Sequence, residues 1–172
     1  MKLSVAERLT LINQYEIRKL LEPAEAKSFE ERICILRNGY PFYYDELDHS
    51  LNKTEFSEQD SLFVLNVLAM FSAITDFKRR NPSDEEIHSH FFNKFYGFDG
   101  NEEARFLEFT EFIIEVKGCW KEYAGTALNS HSPMVEIYKK MVNAWLALPS
   151  QSRGNLDRNA MLTVLKASIS NV

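Results

Sequence analysis

The chain has only two cysteines, Cys34 and Cys119, in 172 residues, each set among apolar residues at helical spacing. The opening MKLSVAERLT lacks the apolar core of a secretory leader, so a reduced, cytoplasmic protein is expected. Asn52-Lys53-Thr54 fits the glycosylation pattern but is uninformative in that compartment. Five prolines and six glycines are too few for low-complexity linkers. There is no alternating strand pattern, no hairpin signal and no repeat, which excludes a β-sheet architecture and a solenoid. No serine or cysteine sits in a nucleophile elbow, and no motif names a reaction. Positive charge is also short. The formal net charge is −5, which argues against a protein built mainly to hold polyanions.

What the chain does have is apolar material at helical spacing. Hydrophobic residues make up 45% of it, with 13 Phe and 7 Tyr, so one compact domain could bury about 70% of its unfolded surface without staples. The stretch 57–80 dominates. Leu62, Phe63, Val64, Leu65, Val67, Leu68, Met70, Phe71, Ile74 and Phe77 fall on every side of a helical wheel, as in a helix buried all round. Its apolar part, from Leu62 to Ile74, is shorter than the roughly 20 residues that span a bilayer. Ser57 supplies a cap before it and Lys78, Arg79 and Arg80 follow it, so it is expected to be the central helix of a soluble domain.

Around it the chain punctuates into helices. Ser4 and Glu7 form a capping-box pattern before a helix to Leu21 with Val5, Leu9, Ile12 and Leu20 on one face. Glu22-Pro23 ends it, and Phe29, Ile33, Leu36 and Tyr40 mark a second helix that closes a hairpin. A short helix is expected over Tyr43 to Leu51, with Asp45, Glu46 and Asp48 opposite its apolar side. Further helices are expected from Ser83 through Phe95, from Glu102 through Tyr123 with a bend at Gly118, from Ser132-Pro133 to Leu148, and from Asn155 onward. The expected architecture is all-α: an N-terminal helical hairpin (1–40) joined to an orthogonal helical bundle (41–172) around helix 57–80, together one compact unit.

The most chemical-looking cluster is Asp84, Glu86, His88 and His90, in which acid and histidine lie one turn apart. Such pairs can hold a metal. A site needs three or four convergent ligands, however, and acidic residues at a helix start also simply answer the macrodipole. Gly97-Phe98-Asp99-Gly100-Asn101 before a helix resembles an anion site only superficially, because Glu102 and Glu103 occupy the place a phosphate would take. From Met134 onward the chain carries +3 against −8 before it, which raises a nucleic-acid alternative through Lys139, Lys140, Arg153 and Arg158. The stripe Met134, Tyr138, Met141, Trp145 reads as core, with docking of a partner helix as its alternative.

Several pieces, in order, resemble one family. They are Ala6-Glu7-Arg8-Leu9 with Asn13-Gln14-Tyr15, Gly39-Tyr40 with Glu46-Leu47-Asp48, Gly97-Phe98-Asp99 with Glu103-Ala104-Arg105, and Pro133-Met134, Glu136, Tyr138, Met141, Asn143, Trp145. From about Ala6 to Pro149 the set resembles the bacterial YfbU family. The resemblance implies an all-α cytoplasmic protein in a family without an established biochemical activity, and it brings no catalytic residue.

The functional expectation is a non-enzymatic helical interaction or regulatory protein, needing no cofactor and touching no membrane. It would be a homo-oligomer, most simply a dimer, possessing an interaction surface drawn from Tyr15, Ile17, Leu21, Met134, Tyr138 and Met141, with a further protein partner allowed. Tyr15, Ile17 and Leu21 widen the first helix's apolar arc beyond what a thin hairpin can cover. The alternatives are the nucleic-acid regulator and a small metal-dependent hydrolase around Glu86 and His90.

Overall fold

In a computed structural model, residues 2–47 and 54–169 are described, and their regular structure is helical, joined by turns and loops, apart from one isolated bridge between Phe98 and Asn129. Asp48, His49 and Leu51 lie outside the described residues, as do Asn52 and Lys53. The chain divides into two compact units, Met1–Glu55 and Phe56–Val172.

The first unit is a helical hairpin. Its first helix, α1 (Val5–Leu21), starts in the expected capping box: Ser4 Oγ accepts from the Glu7 amide and Glu7 accepts from the Ser4 amide at 2.7 Å. Pro23 opens a 3₁₀ turn, and α2 (Ala26–Asn38) ends at Gly39, whose φ of 66° places it in the left-handed region. Pro41–Glu46 forms a 3₁₀ segment where an α-helix is expected, because burying both Tyr44 and Leu47 suits the eclipsed three-residue spacing. These two residues join Tyr15, Phe29, Ile33 and Leu36 in the unit's own core, so the segment after Gly39 packs with the hairpin.

The second unit is built on α3 (Glu58–Arg80), capped by Ser57, whose Oγ accepts from the Asp60 amide. The length and composition of α3 would also suit a membrane span. Here Val64, Val67, Leu68, Met70, Phe71, Ala73, Ile74 and Phe77 are buried in the bundle, whereas Leu62, Thr75 and Asp76 reach solvent, so the helix is not covered on every side. The next helix, α4 (Glu85–Ser89), stops well short of Phe95. The reason is Asn93, whose Nδ2 donates to the carbonyls of Ile87 and His88 and so takes up the end of the helix while the chain turns at His90.

The expected long helix after Glu102 is likewise broken. It comprises α5 (Ala104–Glu111) and a π turn, Phe112–Val116, after which Gly118 and Trp120 adopt left-handed backbone. The π turn lets consecutive Ile113 and Ile114 both bury, and the phase change leaves Val116, expected in the stripe, exposed. Then come α6 (Val135–Leu146), α7 (Ser150–Arg153) and α8 (Arg158–Ala167), the last capped by Asp157. The core they close around α3 is aromatic at its centre. Tyr138 lies 5.2 Å from Phe71, 5.9 Å from Phe95 and 5.6 Å from Phe98, ring centre to ring centre.

Burial of those rings has a pH consequence. Burial pushes the Tyr123 phenol up to about 12 from its ordinary 10.0, and shifts Tyr138 upward more strongly. A raised folded-state value means stabilisation that is full below pH 10 and is lost as pH rises toward the folded value. We therefore expect alkaline unfolding within the window from about pH 10 to about 12, with tyrosinate absorbance and helicity changing together. Ionisation of all seven tyrosines, Tyr123 and Tyr138 included, near pH 10 with helicity intact would show these two rings to be solvated.

Candidate interaction surface

The Asp84–His90 cluster is assembled for structure. Asp84 caps α4, its Oδ1 accepting from the Ile87 amide. Arg158, at the start of α8, donates from Nε to Asp84 Oδ2 at 2.7 Å and from Nη2 to Glu86 Oε2 at 2.6 Å. The hydrogen bond from Arg158 holds the Asp84 carboxyl below its ordinary value, and the two carboxylates raise the arginine. His88 Nε2 lies 3.1 Å from the Asn81 carbonyl, a contact that needs the proton on Nε2, and His90 Nδ1 accepts from the Phe92 amide. Burial, with help from Lys166, lowers His90. No group of three or more possible metal ligands is brought together among the described residues.

Arg158 is thus taken from the basic set, and others of that set are engaged too. Arg153 folds back to cap the end of α6, donating to the carbonyls of Leu146 (2.6 Å) and Leu148 (3.0 Å), while Trp145 Nε1 donates to the Arg153 carbonyl. Lys139 pairs with Glu136 at 2.7 Å, and Lys140 is half-buried on α6.

The expected interaction surface separates into two kinds of residue. Met134, Tyr138 and Met141 are buried in the bundle core, the Tyr138 hydroxyl accepting from the Tyr96 amide, so they present nothing to a partner. Tyr15 is buried as well: it donates to the Leu47 carbonyl at 2.9 Å, stacks on Phe29 and lies beneath the Arg32 guanidinium. Ile17 and Leu21 are exposed, at 58% and 74%.

With them stand Val5 (73%), Leu9 (58%) and Leu20 (80%), three residues expected on the buried stripe. Most of the expected inner stripe of α1 therefore faces outward, the exception being Ile12, which packs against the hairpin core. At about 100° per residue, Val5, Leu9, Leu20, Ile17 and Leu21 span an arc of about 160°, shared with Ala6, Thr10 and Asn13, while Tyr15 points the opposite way. Glu16 is the charged residue at the edge of this arc, and its carboxylate is turned toward Lys19 (3.0 Å) and Arg37 (3.9 Å). The sequence showed α1 apolar on two sides, and the partners that turn Tyr15 inward, Phe29, Arg32 and Leu47, lie far along the chain.

The motif pieces fasten the fold. Arg8 donates to the Leu36 carbonyl across the hairpin. Glu103 stands at the N-terminus of α5 as expected, but its side chain is buried and caps α6 from a distance: Oε1 accepts from the amides of Met134 (2.8 Å) and Val135 (2.7 Å), and Oε2 from that of Asp99 (3.1 Å). This explains how α6 starts without a cap of its own.

Fold and surface together define an all-α protein whose charged clusters brace its helices and whose first helix leaves an apolar face uncovered. The chain belongs to the YfbU family: the YfbU domain matches residues 1–167. It is also 38% identical to the UPF0304 protein MJECS11 of Methanocaldococcus jannaschii, a match covering 96% of this chain and 99% of that one. A relative in an archaeon takes the resemblance beyond the bacteria to which the sequence pieces pointed.

Proposed function

We propose that the protein is a non-enzymatic helical interaction protein of the cytoplasm that self-associates, and that the outer face of α1 is its contact surface. The observation that supports this reading is the set Val5, Leu9, Ile17, Leu20 and Leu21, exposed on one helix whose opposite side already closes the hairpin core. Monomeric proteins rarely leave so much contiguous apolar surface in water. Burying one such side chain contributes about 1.5–3 kcal/mol, so a handful covered together offsets the cost of association. Light scattering coupled to gel filtration tests it. The expected mass is about twice the 20.0 kDa chain at micromolar concentration. A mass of one chain, unchanged on concentration, would remove the reading.

A further inference from the structure

Resting on that reading, we infer that two copies of the chain pair through α1 in antiparallel register, with the twofold axis passing at Asn13. The inference comes from how the exposed face is ordered along the helix. Asn13 is exposed at the middle of α1, with Leu9 one turn before it and Ile17 one turn after, and with Ala6 and Leu20 at the ends. Turned end to end about Asn13, the face meets itself: Leu9 lies opposite the partner's Ile17, Ala6 opposite the partner's Leu20, and Val5 opposite the partner's Leu21. These three pairs are apolar, with the small residue against a large one at both ends, and the polar Thr10 falls opposite the partner's Glu16 at the flank. A parallel, in-register pair would instead set Ala6 against Ala6 and leave a gap at one end while crowding Leu20 at the other.

Asn13 is the polar position within this face. On the axis, its amide can donate to and accept from its own copy, which satisfies both groups and penalises other registers, the use to which single asparagines are put in helix pairs. Antiparallel pairing also opposes the two helix dipoles. Glu16 does not obstruct the contact, because Lys19 and Arg37 of its own hairpin hold it aside. In area the contact is adequate: from their exposures, the five apolar residues present roughly 600 Å² per copy, so that covering both faces reaches about 1,200 Å², the lower bound for a stable specific interface. The symmetry is closed, which stops growth at two copies.

The test uses cysteine pairs in the full chain after Cys34→Ser and Cys119→Ser, since both native thiols are exposed. Leu9 and Ile17 are eight residues apart, about 12 Å along the helix, too far for a disulfide within one copy. On mild oxidation the double variant Leu9→Cys/Ile17→Cys should form about ten times more covalent dimer than either single variant, and Asn13→Cys should crosslink alone. Mass and helicity measured before oxidation separate the two claims. A dimer in which Leu9→Cys alone crosslinks as well as the double variant is parallel, which overturns the antiparallel register and leaves self-association standing. A dimer that crosslinks at none of these positions overturns the α1 interface, and a monomer overturns the reading on which it rests.

Discussion

Gly97→Ala is expected to destabilise the second unit by about 3–5 kcal/mol, enough to lower its denaturation midpoint sharply with an unchanged slope. Gly97 has φ of 84°, where a side chain is itself strained. The steric term is larger. A β-carbon there would lie 1.6 Å from the Leu128 carbonyl oxygen, a main-chain atom that cannot swing away. Leu128 cannot retreat cheaply either, because its carbonyl accepts from the Phe98 amide at 3.0 Å, and the Phe98 carbonyl in turn accepts from the Ser130 amide at 3.1 Å. Phe98 is fully buried against Tyr138 and Phe106, so any shift of this strap disturbs the aromatic centre of the core. Gly154→Ala is the control. Nothing lies within 4 Å of the atom it adds, and its stability should change little. Equal effects at the two glycines would show that the strap can move.

Glu103→Ala should cost a similar amount, about 3–5 kcal/mol, for a different reason. The carboxylate accepts from three buried amides, and its removal leaves all three without a partner in a site that water does not readily enter. It also takes the cap from α6. Hydrogen exchange should therefore quicken first at Met134 and Val135, ahead of the rest of the bundle. Glu103→Gln keeps acceptor capacity and should lose less. A loss under about 1 kcal/mol for the alanine variant would mean that α6 starts without help from Glu103.

These two residues show what could be read in the sequence and what could not. The class of fold was legible, because apolar residues at helical spacing, capping pairs and proline stops act within a few residues: the Ser4–Glu7 box and the Glu22-Pro23 stop both hold in the structure. The family was legible too, from short pieces in order. What those pieces do was not, because it depends on partners far along the chain. Glu103 reaches Met134, Tyr15 reaches Leu47, and Gly97 meets Leu128. Local pattern also failed where a side chain overrides periodicity, as Asn93 does in ending α4 and the π turn does in exposing Val116.

The exposed apolar face of α1 was half legible for the same reason. Ile17 and Leu21 announced surplus apolar area on α1, yet a helix apolar on two sides does not say which side faces inward. That was decided by the bond from Tyr15 to the Leu47 carbonyl and by Phe29 stacked beside it. The Met134–Trp145 stripe lost its docking alternative when Tyr138 and Met141 proved fully buried.

The most direct test of the central claim is sedimentation equilibrium on the chain and on its Leu9→Asp/Leu20→Asp variant. Both substitutions fall on exposed positions, so the hairpin core is untouched and helicity should be unchanged. About twice the 20.0 kDa chain mass is expected for the unaltered protein, and one chain mass for the variant at the same micromolar concentrations, since each added carboxylate would have to be buried unpaired in the contact. A variant that keeps the larger mass, or an unaltered protein that sediments as a single chain throughout, would contradict it.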